Sequence, residues 1–240
     1  MLENTEDFWS ESWMNHIEDY LDATPRAGIF IKNYFKDINS VLEVAGGSCR
    51  DSRYLANNGY KATGSDFDDK TLKYLKEVKF PNDKLNYSKE NAFDLSFNDD
   101  KFDLIFHNGF FIYFDNNESL NTMLKEQERV AKKYIVIFVH NKENKKLVKQ
   151  FKELSQNDDL YKIRFFDKDE IKEIVVESGI KYKEIKILKF GGFFDAFYKK
   201  RIKKLPNVLY PFRKMIVPKL YQLQKWENVE RICCIVELDK

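Results

Sequence analysis

Residues 41–66 carry side chains whose types and spacing suit nucleotide binding. The apolar pair Val41-Leu42 leads to Glu43. The turn Val44-Ala45-Gly46-Gly47-Ser48-Cys49 follows, with Arg50-Asp51 behind it, and a second apolar run ends in Asp66. Small residues in a turn let a ligand approach the backbone closely, and a carboxylate closing the next strand can hold two ribose hydroxyls. The pattern points to an adenosine-containing cofactor without choosing among them. Glu43 comes after buried positions, so its carboxylate needs hydrogen-bond donors, which the turn N–H groups can supply. Arg50 and Asp51 read as a solvated or helix-start pair.

Proton chemistry has three candidates near the ends of predicted strands: His107, Tyr113 and His140. Ligands of open α/β sheets bind at the carboxyl edge, where these residues fall. An imidazole with an ordinary pKa near 6.5 is suited to proton transfer, although a lone His is more often structural. His16, on the N-terminal helix, is a fourth candidate. The chain has no Gly-x-Ser-x-Gly elbow, no Walker loop and no His/Cys metal-ligand spacing, so no metal is expected.

The elements that must position these groups alternate. Residues 5–35 read as helix, with Trp9, Trp13, Ile17, Tyr20 and Leu21 at helical spacing and a break at Thr24-Pro25. Strands are predicted at 41–44, 62–65, 84–87, 102–106, 134–139, 183–188 and 231–238. Helices are predicted at 50–58, 69–78, 118–132, 142–154 and 167–178, the last with Asp167 as N-cap and Gly179 just beyond its end. Strands alternating with helices imply a doubly wound, mostly parallel seven-stranded α/β sheet.

The segment from Val41 to Cys49 resembles motif I of the class I, Rossmann-like S-adenosylmethionine-dependent methyltransferases. Ala45, Gly47 and Cys49 stand at that motif's three glycine positions. The resemblance continues through Asp66, through Glu90-Asn91-Ala92-Phe93-Asp94-Leu95-Ser96-Phe97, and through Phe102 to Gly109. It covers about residues 38–190 and 231–238, and it implies the cofactor S-adenosylmethionine with S-adenosylhomocysteine as product. It further implies that Glu43, Ala45, Gly46 and Gly47 line the methionine side, Glu43 through water to the amino group. Asp66 would take the ribose, Asn91 and Ala92 the adenine edge, Phe67 and Phe93 the adenine faces, and His107 the carboxyl edge of the sheet. Tyr113, His107 and His140 are the candidate catalytic groups. The loss of two glycines removes a pyrophosphate cradle, which S-adenosylmethionine does not need and NAD does. An NAD-dependent oxidoreductase and a non-catalytic S-adenosylmethionine-binding module remain the alternatives. His107-Asn108-Gly109-Phe110 replaces the Pro-Pro motif used on exocyclic base amines, so nucleic acid is disfavoured as acceptor.

The 240 residues suffice for one domain. The resemblance divides it into a helical lid (1–37), a Rossmann-like core (38–189), a basic and aromatic insertion (190–228) and a final strand (229–240), the seventh strand being antiparallel. No run approaches about 18–20 apolar residues, so no transmembrane helix is expected. The aromatic, acidic start lacks signal-peptide character. Cys49 and the adjacent Cys233 and Cys234 suit a reduced, cytoplasmic setting. Abundant Lys, Asn, Ile, Phe and Tyr reflect codon bias, in keeping with a bacterial origin. Net charge is only +2, yet Ala196 to Trp226 contains nine basic residues and no acidic one. A cap of this kind, folded over the carboxyl edge, would present cations to a small anionic acceptor, phosphorylated or linked to a nucleotide or sugar. The same charge suits a solvated face or peripheral contact with an anionic surface. A monomer or homodimer is expected.

Overall fold

The computed structural model describes residues 6–199 and 209–240. Its strands are β1 (Ser40–Glu43), β2 (Lys61–Asp66), β3 (Asn86–Lys89), β4 (Phe102–Asn108), β5 (Ala131–His140), β6 (Tyr182–Phe190) and β7 (Arg231–Leu238). They form a seven-stranded sheet in the order β3-β2-β1-β4-β5-β7-β6. β1 to β5 are parallel, and β7 runs antiparallel between β5 and β6. The order reverses between β1 and β4, and that reversal opens the crevice in which α/β folds bind ligands.

The helices are α1 (Glu6–Asp22), α2 (Arg26–Tyr34), α3 (Arg50–Ala56), α4 (Asp69–Lys73), α5 (Asn117–Val130), α6 (Lys145–Leu154), α7 (Lys168–Glu177) and α8 (Tyr210–Tyr221). α4 continues as a π-helical turn, Tyr74–Lys79. Two cores cover the two faces of the sheet. β5 shows why its sequence is an unbroken apolar run: Val136 and Phe138 enter one core, and Ile135, Ile137 and Val139 the other. Cys233 and Cys234 likewise point to opposite cores and remain free thiols. Asp167 caps α7 through Asp169 N–H (3.0 Å) and Glu170 N–H (2.8 Å), and Gly179 takes a φ of 76° past its end.

The insertion between β6 and β7 differs from a cap over the carboxyl edge. Its described part, a 3₁₀ segment Phe193–Tyr198 and α8, packs against α2 and β6 on one flank of the sheet. Val217 and Tyr221 join the core that also holds Phe30 and Phe190. Arg26 fixes the arrangement with two 2.8 Å bonds to the Glu230 carboxylate and a third to Asp195, which also accepts from the Tyr221 hydroxyl. Of the basic residues expected in the cap, Lys200, Arg201, Lys203 and Lys204 lie outside the described residues. No described helix is long and apolar enough to cross a membrane.

Candidate active site

The turn after β1 owes its shape to three residues in the left-handed region: Ala45 (φ 50°), Gly47 (φ 51°) and Cys49 (φ 49°). Those are the three motif glycine positions, so the backbone keeps the glycine conformation where the side chains do not. A non-glycine residue in that region costs roughly 1–2 kcal/mol. The Cys49 side chain fits because two glycines leave it room. A Cβ on Gly46 would lie 2.9 Å from its Sγ, and one on Gly64 of β2 would lie 2.8 Å from it. Burial raises the pKa of this thiol well above the ordinary value, so it is neutral filling.

Carboxylates brace the turn from both sides. Glu43, buried at the end of β1, accepts from Ser52 N–H in the first turn of α3 at 2.9 Å. It occupies a helix-start donor that a pyrophosphate would need. Burial, then the neighbouring Asp51 charge, pushes its pKa up to about 8. Asp66, also buried, accepts from Gly47 N–H (2.7 Å) and Asp68 N–H (3.1 Å), and burial raises its pKa. Each of its oxygens makes one of these bonds and keeps acceptor capacity for a ribose hydroxyl.

Above the turn lies a cavity of about 350 Å³. Ala45, Gly46, Asp66, Phe67, Asn91, Ala92 and Phe93 line one end of it. Phe67 and Phe93 are 42% and 38% exposed, with Lys89 Nζ 5.6 Å from the Phe67 ring centroid and Phe114 edge-on to Phe93. Gly47 contributes its N–H to Asp66 rather than a wall. Asn91 Oδ1 accepts from Phe93 N–H at 3.0 Å, so it shapes its own loop as well as facing the cavity.

The other end is aromatic and cationic. α1 contributes Trp9 and Tyr20, and Tyr113, Tyr161, His140, Arg50 and Arg231 complete it. Trp9 meets Tyr113 edge-on at 4.7 Å between ring centroids. His140 and Arg231 face each other across the β5–β7 pairing. Arg231 shares its carboxylate partner with Arg26. It donates to the Asn108 side chain and makes a 3.4 Å contact to Glu230, whose two oxygens already serve Arg26. Burial, reinforced by Arg26 and Arg50, lowers its pKa against the pull of Glu230.

Three expectations need correction. His107 does not reach the cavity. Its ring is buried against Phe111 at 4.1 Å between centroids, both ring nitrogens lack a partner, and burial holds its pKa down to about 3. β4 continues two residues past Phe106, and alternation along it turns His107 into the core and Asn108 to the cavity. Arg50-Asp51 is not a solvated pair. Asp51 is buried, accepts from Gly28 N–H at 2.8 Å and from the Asn108 amide at 3.3 Å, and lies 3.6 Å from Arg50. The described part of the basic insertion lines none of the cavity. His16 is outside the wall as well, joined to Asp158 at 2.9 Å. Trp9, Tyr20, Asn108, Tyr161 and Arg231 were not anticipated. Only the β5–β7 register brings Arg231 beside His140.

The fold is a doubly wound α/β sheet, and the small-residue turn with Asp66 beside it suits an adenosine-containing cofactor that brings no pyrophosphate. Residues 42–138 match the family of the methyltransferase domain. The structure is similar to a Thermotoga maritima S-adenosylmethionine-dependent methyltransferase described as a possible histamine N-methyltransferase, at 15% identity over 98% of this chain and 100% of that one (TM-score 0.66). It is also similar to a methyltransferase from Archaeoglobus fulgidus, at 16% identity over 92% and 97% (TM-score 0.59). A third similar structure is the magnesium protoporphyrin IX methyltransferase of Synechocystis with S-adenosylhomocysteine bound, at 11% identity over 94% and 83% (TM-score 0.53). No curated protein matches the sequence. The fold is that of solved S-adenosylmethionine-dependent methyltransferases, and the methyltransferase-domain match falls on the part of the chain that carries the turn, Asp66 and the Asn91 loop. The exposed Phe67 and Phe93 rings, the spare acceptor capacity of Asp66 and the carboxyl group of Glu43 fit the base, ribose and cationic end of S-adenosylmethionine. Among the described residues no cluster of His, Cys, Asp or Glu could hold a metal.

Proposed function

We propose that the enzyme methylates an oxygen or nitrogen of a small anionic acceptor, such as a phosphorylated or nucleotide- or sugar-linked metabolite, by in-line transfer. The observation that carries this reading is Arg231, a half-buried guanidinium on the cavity wall that shares its nearest carboxylate with Arg26. A cation largely removed from water whose carboxylate is shared with a second arginine is under-neutralised, and an acceptor phosphate or carboxylate would complete the pairing. Arg50, on the same wall, adds to the positive field.

When bound, the cofactor supplies an electrophilic methyl group on a sulfonium. The protein must then place the acceptor atom in line and accept its proton. Burial raises the Tyr113 pKa above the ordinary value, so Tyr113 is a neutral hydroxyl and not a base; its long 3.4 Å bond to the Leu160 carbonyl is one it can exchange for a bond that orients the acceptor. His140 is kept neutral by burial and by Arg231 and Arg26, and its Nδ1 has no protein partner. The same burial and positive charge make His140 a weak base on its own, and an anionic acceptor placed against Arg231 would raise its basicity and fit it for proton removal. α1, which presents Trp9 and Tyr20, acts as the lid.

Matched acceptors with and without a phosphate test the reading. With S-adenosylmethionine saturating, Arg231→Gln should raise KM for the phosphorylated acceptor by roughly tenfold or more and leave the affinity for S-adenosylhomocysteine unchanged. Equal turnover of charged and neutral acceptors, or an unaltered KM in the variant, would refute the anionic acceptor.

A further inference from the structure

α8 has two apolar faces. Val217 and Tyr221 point inward and are buried. On the opposite side, Leu209, Phe212, Met215, Ile216 and Leu223 recur at intervals of three, four and seven residues from the helix start to just past its end, and all are exposed. Phe212 is 64% exposed and Met215 59%. Phe193 and Leu223 reach 76% each, and the Phe193 N–H bonds to the side chain of Gln224, next to Leu223, at 3.0 Å. The solvent face of a helix in a globular protein is ordinarily polar, and an apolar stripe of this length marks an interaction surface.

The charge of the segment, through the lysines exposed on its described part, indicates what covers the stripe. Ala196 to Trp226 contains nine basic residues and no acidic one. Lys199, Lys219 and Lys225 are exposed on the described part of this segment. A second copy docked symmetrically here would set these lysines against their own counterparts. A nucleic acid would answer the charge but make little use of Phe212, Met215 and Ile216. An anionic bilayer answers both features, because aliphatic and aromatic side chains enter the headgroup–acyl boundary while lysines meet lipid phosphates.

We infer that the outward face of α8, with Phe193, is a docking surface for an anionic lipid membrane. The enzyme is then a peripheral membrane protein held by the insertion on one flank, while the cavity stays at the carboxyl edge of the sheet. The surface does not overlap the cofactor or acceptor walls, so it stands independently of the acceptor class.

Vesicle flotation tests this directly. The full chain should float with vesicles of about three parts phosphatidylcholine to one part phosphatidylglycerol and stay in solution with phosphatidylcholine alone. Raising the salt should weaken the association. The triple variant Phe212→Gln, Ile216→Gln, Leu223→Gln changes only exposed positions and should reduce the floated fraction at least tenfold while binding S-adenosylhomocysteine normally. Failure to float with anionic vesicles would overturn the inference, as would flotation unchanged in the variant. A concentration-dependent dimer in light scattering, abolished by the same substitutions, would assign the face to a second copy and also overturn it.

Discussion

At the scale of single residues, the turn after β1 shows a substitution absorbed by a distant glycine. Cys49 occupies a glycine position in the motif and keeps its left-handed φ of 49°, with its sulfur in the space that Gly46 and Gly64 leave open. Gly64→Ala should therefore destabilise the protein by about 1–3 kcal/mol through overpacking. Cys49→Gly alone should be near neutral, since relief of backbone strain offsets lost packing. In the double variant Cys49→Gly should recover at least half of the loss, because the two residues share one space. Denaturant midpoints of the four proteins measure this, and purely additive effects would refute the pairing. The departure from the glycine pattern was visible in the sequence, but its remedy was not, because Gly64 lies on another strand.

Glu43 offers a pH test at the same scale. Its folded pKa of about 8 exceeds the ordinary 4.5. Between those values the folded state holds a proton that the unfolded chain has released. The stability this group contributes is present below about pH 4.5 and is lost as pH rises through 8. Glu43→Gln keeps an acceptor for Ser52 N–H and removes the titration, so its stability should fall less steeply between pH 5 and 8 than that of the parent protein. The sulfonium and ammonium of S-adenosylmethionine favour ionised Glu43. Cofactor affinity should therefore rise with pH in the parent protein and hardly change in the variant, as calorimetry at several pH values would show.

At the scale of elements, legibility followed periodicity. The alternation of apolar runs and amphipathic stretches yielded all seven strands to within a few residues, and Asp167 and Gly179 announced the ends of α7 by side-chain type. The register of β4 was harder. A one-residue difference turns a side chain to the other face of a sheet, and the same apolar run accommodates either His107 or Asn108 as the cavity residue. Chemistry favoured histidine and the pleat selected asparagine. Arg231 was hidden for another reason: its partnership with His140 depends on an antiparallel register between segments about 90 residues apart.

α1 is held over the cavity by Trp9 against Tyr113, by Arg50 donating to the Tyr20 carbonyl at 3.1 Å, by His16 with Asp158, and by Glu18 with Tyr74 at 2.9 Å. Most of these contacts are polar or partly exposed, which is the low-stability character expected of a closing element. An aromatic pair contributes about 0.5–1.5 kcal/mol beyond its buried area. Trp9→Ala should therefore raise the acceptor KM by roughly three- to tenfold and change S-adenosylhomocysteine affinity much less. A larger effect on the cofactor than on the acceptor would place Trp9 with the wrong ligand.

For the whole molecule, two halves perform separate tasks. In the proposed function the turn after β1, Asp66 and the Asn91 loop hold the cofactor, and these lie within the segment whose sequence resembles the family. The proposed acceptor chamber draws on α1, β5, the 160–163 segment and β7, which lie outside the short motifs that carry the resemblance and meet only through the tertiary fold. The cofactor half can be tested through global stability. A ligand that binds only the folded state at about a hundred times its Kd adds about 2.7 kcal/mol, which for a domain of this size is a Tm increase of roughly 5–10 °C. S-adenosylhomocysteine should produce that shift and NAD should produce none, because Glu43 already occupies the helix-start donor that a pyrophosphate needs. In Asp66→Ala, a tenfold loss of affinity would remove about 1.4 kcal/mol, leaving about half the shift at the same ligand concentration. An undiminished shift would mean that the ribose is held elsewhere, and a shift with NAD would mean that the turn can accept phosphate after all.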